Sequence, residues 1–295
     1  MTVTRAFDRL APTYDVLAGG EAFLHQRRQT HAAFTRWLRP GCRVLEIGCG
    51  TGVDTEFLAT AGLRVIACDP SEEMLIRTQR RLARTAAGDR ATTLSCGLED
   101  LPRFLDGLDG GEGFDAVVSN FGALNCVRSL APLGAIARRH LRPGGAIVLG
   151  LMGRACLWES CYFAARGRPS LMARRRQPDA VVPVAGVDVP TFYHRTREVR
   201  EVLGAGFALD QVLGVGVVVP PPYLEARWQQ VPAPIRRFTA GLDCVVSSWP
   251  IVNQLGDHIL TRWVKRREVQ TRGFKAEGSS TGFEHEGSTA GGSRA

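Results

Sequence analysis

The chain has 295 residues, 44% hydrophobic and 22% charged, enough to bury a full core and carry one domain with an elaboration. No apolar run approaches the ~18–20 residues that span a bilayer, and Arg5, Asp8 and Arg9 near the start argue against a signal peptide, so a cytoplasmic protein is expected. The net charge of +8 is almost all arginine and lies mainly after residue 150, most visibly at Arg174-Arg175-Arg176 and at Arg262/Lys265-Arg266-Arg267.

Residues 1–38 read as N-terminal helices. Residues 44–52, Val-Leu-Glu-Ile-Gly-Cys-Gly-Thr-Gly, are a short apolar run that breaks into glycine at every second position. A helix-compatible stretch follows over 53–61, so the segment reads as a buried parallel strand turning tightly into a helix. Glycine suits that turn because the chain must take angles closed to other residues and let a ligand touch bare backbone. The spacing is G-x-G-x-G. A dinucleotide fingerprint needs its third glycine at position 53, which holds Val53, so an oxidoreductase is disfavoured. Glu46, two residues before the first glycine, would repel a pyrophosphate but suits a cationic ligand. S-adenosylmethionine has an ammonium and a sulfonium and no phosphate.

Residues 64–69, Arg-Val-Ile-Ala-Cys-Asp, form a second strand ending in Asp69, where an acid reaches a ribose diol. Ser71 is a good helix cap, with Glu72 and Glu73 favourable in the first turn. Further on come Cys96-Gly97-Leu98-Glu99-Asp100-Leu101-Pro102, then Phe114-Asp115-Ala116-Val117-Val118-Ser119-Asn120-Phe121, and Leu141-Arg142-Pro143-Gly144-Gly145 before a fifth strand over 146–151. A short helix over 155–165 carries Trp158, Tyr162 and Phe163. Residues 178–190 read as loop or irregular strand. Thr191-Phe192-Tyr193-His194 leads into a helix over 196–204, and 206–219 suits the closing strands of the sheet. Three prolines at 220–222 end it. Helices are expected over 223–230, 234–247 and 251–268, and disorder from 271 onward. The eight cysteines, at 42, 49, 68, 96, 126, 156, 161 and 244, form no C-x-x-C pair and read as reduced thiols, with no metal site.

Taken together, the stretches at 44–52, 64–74, 96–102, 114–121 and 141–151 resemble the class I S-adenosylmethionine-dependent methyltransferases. Phe7-Asp8-Arg9-Leu10-Ala11-Pro12-Thr13-Tyr14-Asp15 resembles the entry segment of ubiquinone/menaquinone-biosynthesis C-methyltransferases and their small-molecule relatives. The resemblance covers about residues 5–150. It implies an α/β fold, a doubly wound Rossmann-like seven-stranded sheet over a core at 39–152. Around it would lie helices at 1–38, a cap and closing strands at 153–222, C-terminal helices at 223–270 and a tail at 271–295. The methionine part of S-adenosylmethionine would lie on Glu46 and the backbone of Gly48, Cys49, Gly50, Thr51 and Gly52. Asp69 would take the ribose, and Pro70, Met74, Leu98 and Glu99 would surround the adenine. Asn120 and Phe121 would line the methyl-donor mouth, and Tyr14 would close over the cofactor. Many relatives have an aspartate where this chain has Gly97.

The expected activity is methyl transfer to a small-molecule acceptor at an O-, C- or N-centre, left open. An RNA or protein methyltransferase, or a non-catalytic S-adenosylmethionine-binding protein, is the alternative. Nucleic acid is disfavoured because aromatics do not interleave with the arginines and residues 119–122 lack the Asn/Asp-Pro-Pro-aromatic motif of flipped-base enzymes. The arginine clusters read as a solvated face. The aromatic helix after the fifth strand is either a lid over the acceptor or a packing helix. With the arginine triplet and the helix expected around Trp263, it also defines an expected contact with an anionic membrane surface. A phenol or hydroxyl acceptor needs a general base, for which His194 and His25 are the candidates.

Overall fold

The computed structural model describes residues 3–108, 112–177, 180–184 and 186–267. The first half alternates strand and helix: α1 (Val3–Leu17), α2 (Glu21–Trp37), β1 (Arg43–Ile47), α3 (Val53–Thr60), β2 (Arg64–Asp69), α4 (Glu72–Leu82), β3 (Ala91–Ser95), α5 (Leu101–Leu108), β4 (Phe114–Ser119), α6 (Ala131–His140) and β5 (Leu141–Met152). The second half adds α7 (Leu157–Ala164), α8 (Pro169–Met172), β6 (Ala180–Val184), β7 (Val187–Thr191), α9 (Thr196–Leu203), β8 (Phe207–Val215), α10 (Glu225–Trp228), α11 (Ala233–Val246) and β9 (His258–Lys265).

Seven strands form one sheet in the order β3-β2-β1-β4-β5-β9-β8. The first five are mutually parallel, and β9 runs antiparallel to both β5 and β8. Neighbouring residues of a strand serve opposite layers, which is why these strands are apolar throughout. Val44, Val65, Val148 and Leu260 pack with Phe34, Leu58 and Leu75 of α2, α3 and α4. Leu45, Val117, Ile147 and Trp263 pack with Leu105, Ile136 and Leu203 of α5, α6 and α9. The switch in strand order between β1 and β4 leaves a crevice at the carboxyl ends of the strands, the usual ligand position of open α/β sheets.

The second half departs from several expectations. Residues 258–265 are a strand, where a helix over 251–268 was expected. Ile259, Thr261, Trp263 and Val264 favour an extended chain, and Leu260 and Trp263 are buried on opposite faces of the sheet. β6 and β7 pair antiparallel outside the main sheet, and Val187 and Val189 pack on Ala6 of α1. Of the arginine triplet only Arg176 is exposed. Arg175 is buried, with Nη2 2.7 Å from Asp257 Oδ1, and it also pairs with Glu159, which Arg174 joins. Trp263 and Phe163 are buried, and Trp158 donates its indole N–H to Val218 O at 2.6 Å, so these residues do not assemble the expected membrane-contact patch. Among the described residues no helix is long and apolar enough to cross a membrane. The expected disordered tail, 271–295, lies outside the described residues.

Candidate functional site

The glycine turn follows directly from β1. Gly48 (φ 75°) and Gly50 (φ 56°) are left-handed, as is Gly52 (φ 79°), which caps α3. A side chain at Gly48 would meet Ala123 Cβ at 2.3 Å, whereas one at Gly50 would meet nothing within 4 Å. One glycine thus permits close packing, and the other leaves an open, bare stretch of backbone. Asp69, at the end of β2, braces the turn: Oδ2 accepts the Gly50 N–H at 2.9 Å and Oδ1 the Ser71 N–H at 3.0 Å. Burial pushes the Asp69 carboxyl above its ordinary value, and those two N–H groups oppose the rise. The carboxylate still has lone pairs left for a diol.

α1 lies across this turn. Asp8 and Asp15, seven residues apart, share one face of the helix. Ser71 Oγ donates to Asp8 Oδ1 at 2.6 Å, and Thr51 Oγ1 donates to Asp15 Oδ1 at 2.6 Å. Arg81 of α4 completes the clamp, Nη2 lying 2.6 Å from Asp15 Oδ2 and Nε donating to Thr51 O at 2.9 Å.

Beyond the turn sits a polar knot. Asp54 Oδ1 accepts from Arg27 Nη1 at 2.8 Å and meets His31 Nε2 at 2.7 Å, while Oδ2 accepts from Asn120 Nδ2 at 2.8 Å. Burial works to raise the Asp54 carboxyl, but the His31 hydrogen bond and the Arg27 charge outweigh it and hold it below its ordinary value. The Arg27 guanidinium lies 5.0 and 4.9 Å from the ring centres of Phe23 and Phe121. Phe121 itself has φ 47°, a strained angle for a residue with a side chain. Glu46 lies behind the turn, accepting from Thr55 Oγ1 at 2.6 Å. Burial first, and then the Asp54 charge, push its carboxyl up to about 8.

These elements enclose a cavity of about 650 Å³, within the range of small-molecule sites. Twelve of the sequence-derived residues line it: Tyr14, Gly48, Cys49, Gly50, Thr51, Asp69, Pro70, Met74, Leu98, Glu99, Asn120 and Phe121. Glu46 and Gly52 do not, since one is buried behind the turn and the other is packed on Thr78. At Gly97 a Cβ would stand 3.8 Å from Pro70, so the glycine leaves room on the wall beside Glu99 and Asp100.

Neither candidate base reaches the cavity. His25 Nε2 meets the buried Asp243 Oδ2 at 2.8 Å, and His194 Nε2 meets Val127 O at 2.8 Å. β7 ends at Thr191, after which Phe192 takes the cavity wall and the chain turns His194 away. The aromatic helix α7 contributes no lining residue either; the cover is α1, through Val3, Thr4, Phe7 and Tyr14.

Sequence reasoning missed Arg27, Asp54, Arg128 and Phe192 as lining residues. Asp54, two positions after Gly52, carried the only local signal, an acid in the first turn of a helix. Asn125 was missed too. Its amide holds Met152 N (2.8 Å) and Phe192 O (2.7 Å) together and so fixes the far wall. Four of the free cysteines, 49, 68, 96 and 126, also line the cavity.

Comparison with known proteins agrees with this architecture. A family model described as a methyltransferase domain matches residues 44–145. A demethylmenaquinone methyltransferase of Paenarthrobacter aurescens is 31% identical over 191 residues, which cover 62% of this chain and 70% of that protein. One from Clavibacter sepedonicus is 36% identical over 153 residues, covering 50% of this chain and 56% of that protein. The chain thus spans little more than half the length of several relatives it matches. The crystal structure of the [4+2]-cyclase SpnF superposes with a TM-score of 0.57 at 16% identity, covering 90% of this chain and 96% of that one, a likeness of fold alone.

The strand order, the glycine turn and these matches place the chain in the class I S-adenosylmethionine-dependent methyltransferase family. The cofactor of that family, S-adenosylmethionine, suits the cavity as built: Gly50 offers bare backbone, Asp69 offers unused lone pairs, and Pro70, Met74 and Leu98 offer an apolar bed.

Proposed function

We propose that the protein transfers the methyl group of S-adenosylmethionine to a small, largely apolar acceptor enclosed with it in the one cavity. The single observation that carries this is the continuity of that cavity. It runs from the glycine turn and Asp69 into a compartment walled by Leu124, Val127 and Phe192 and by Phe7 of the covering helix α1. A roof of that kind suits a small molecule better than a polymer. In this assignment Gly48, Cys49, Gly50 and Thr51 hold the methionine part through backbone, and Glu46 and Gly52 support the turn from behind. Asp69 takes the ribose, and Pro70, Met74, Leu98 and Glu99 hold the adenine.

The donor supplies a methyl group already activated on a positive sulfur, so the protein's task is alignment and exclusion of water. Asn120 and Phe121 are fixed by the Asp54–Arg27 knot and present a rigid wall where donor and acceptor meet. Burial pushes the Tyr14 hydroxyl above its ordinary value, so at neutral pH it is a proton donor and not a base. Neither His25 nor His194 lines the cavity, and both Asp54 oxygens are engaged. This favours an acceptor that attacks without a strong base, such as an activated ring carbon. The demethylmenaquinone methyltransferases among the relatives point to a quinone-like ring as the first acceptor to try.

Calorimetry with S-adenosylmethionine and S-adenosylhomocysteine tests the donor site. Mass spectrometry of reactions with reduced naphthoquinones tests the acceptor. Binding that Asp69→Ala weakens, together with a product heavier by one methylene, is expected. Absence of binding by both nucleosides refutes the proposal.

A further inference from the structure

α11 is fastened by one face only. The buried Asp243 accepts the N–H groups of Val217 (2.8 Å) and Val218 (2.7 Å) and meets His25 Nε2 at 2.8 Å. Arg236 Nε lies 3.0 Å from Glu21 Oε2, and Val246 is buried. These contacts anchor the helix and, among the described residues, leave its opposite face uncovered. Ile235, Phe238, Leu242 and Val245, spaced by three, four and three residues, are 52, 73, 39 and 59% exposed. Trp249 extends the stripe at 52%, and Ile251 follows at 79% with φ 70°, an angle a β-branched residue rarely takes. A contiguous apolar stripe of this kind marks an interaction surface.

Charge selects the partner. Residues 226–256 contain one acidic side chain, Asp243, and it is buried beneath the helix. Arg237 on α11 and Arg28 on α2 are both exposed; burial raises the thiol of Cys244, on the same flank of α11, and the nearby Arg28 opposes that rise. Leu24, one turn before Arg28, is exposed as well. A second copy of the chain would set these arginines against one another across a twofold axis, with no exposed carboxylate in the segment to meet them.

We propose that this face docks on a lipid bilayer bearing anionic headgroups. The α11 stripe enters the acyl boundary, Arg28 and Arg237 meet lipid phosphates, and Trp249 sits at headgroup level. The surface differs from the one expected around Trp158 and the arginine triplet, and it stands independently of the methyl-transfer proposal.

The test is co-sedimentation of the full chain with phosphatidylcholine vesicles, with and without phosphatidylglycerol. Binding should be at least roughly tenfold tighter to the anionic vesicles and should weaken with salt. Phe238→Ser with Leu242→Ser, and separately Arg28→Glu with Arg237→Glu, should each lower it by about tenfold or more. Trp249→Phe should remove the lipid-induced fluorescence change. S-adenosylmethionine affinity and the thermal midpoint should match the parent in all three, and the arginine pair still decides the matter if the serine pair folds poorly. The proposal is overturned by absence of vesicle binding, by binding the arginine pair leaves unchanged, by a dimer that Phe238→Ser dissolves, or by binding only after removal of residues 268–295.

Discussion

Glu46 is the residue whose chemistry is most altered by its place in the fold. Its carboxyl ordinarily titrates at 4.5 and is pushed up to about 8 by burial and by the neighbouring Asp54. The folded state therefore holds a proton that the unfolded chain releases, so this contribution to stability is full below 4.5 and is lost as pH rises through about 8. The thermal midpoint should fall between these values in the parent and fall less in Glu46→Gln; parallel curves would discard the protonated carboxyl. Because the donor is cationic, its binding near neutral pH should also expel that proton, seen as a calorimetric heat that changes with the buffer and vanishes in Glu46→Gln. Gly48, Gly50 and Asp69 were legible in the sequence because they are local to one strand–helix turn, whereas Glu46, expected against the ligand, lies behind it. Arg27 and Phe192 were not, since they meet that turn only through folding of α2 and β7. His194 was misplaced for the same reason: two-residue alternation would put it on the same side as Phe192, but the strand ends at Thr191, before either of them.

At the scale of elements, α1 behaves as a clasp held by two hydroxyl–carboxylate bonds, Ser71 to Asp8 and Thr51 to Asp15. Replacing Asp8 and Asp15 together by alanine should speed release of S-adenosylhomocysteine by roughly tenfold in stopped-flow measurements, given the strength of hydrogen bonds to charged acceptors. The thermal midpoint should move little, because α1 keeps Ala6, Leu10 and Ala11 buried. β9 carries the opposite kind of weight. Trp263 is 1% exposed in the middle of one core layer, and Trp263→Ala should cost about 3–5 kcal/mol in denaturant unfolding. β1 and β2 could be read in order because each precedes a helix signal. β9 could not, because a strand covered on both faces lacks alternation and mimics a helix segment.

Across the whole molecule, the second half is tied to the sheet by a buried ionic cluster. Arg175 joins Glu159 of α7 to Asp257 just before β9, and its Nη1 donates to Asp257 O at 2.9 Å. Burial opposes ionisation of Asp257, yet the charges of His258 and Arg175 prevail and hold its carboxyl well below 3.8. That contribution is present above pH 3.8 and is lost as pH falls below it. Asp257→Asn removes one of the two carboxylate charges that face Arg175 and should cost about 3 kcal/mol at neutral pH, flattening the acid-unfolding curve below pH 4. Equal acid sensitivity of variant and parent would count against the cluster. Nothing in the arginine triplet announced this, since a run of like charges reads as solvated until its partners, 16 and 82 residues away, are known.

The position of β9 has a consequence for how the protein is made. Its slot between β5 and β8 stays vacant until residue 265 has left the ribosome, so for more than a hundred residues of synthesis the nascent sheet presents the naked edge of β5. Such an edge recruits foreign strands. Chains halted before residue 258 should therefore accumulate as aggregates or in the grip of chaperones, whereas those reaching residue 267 should be released folded.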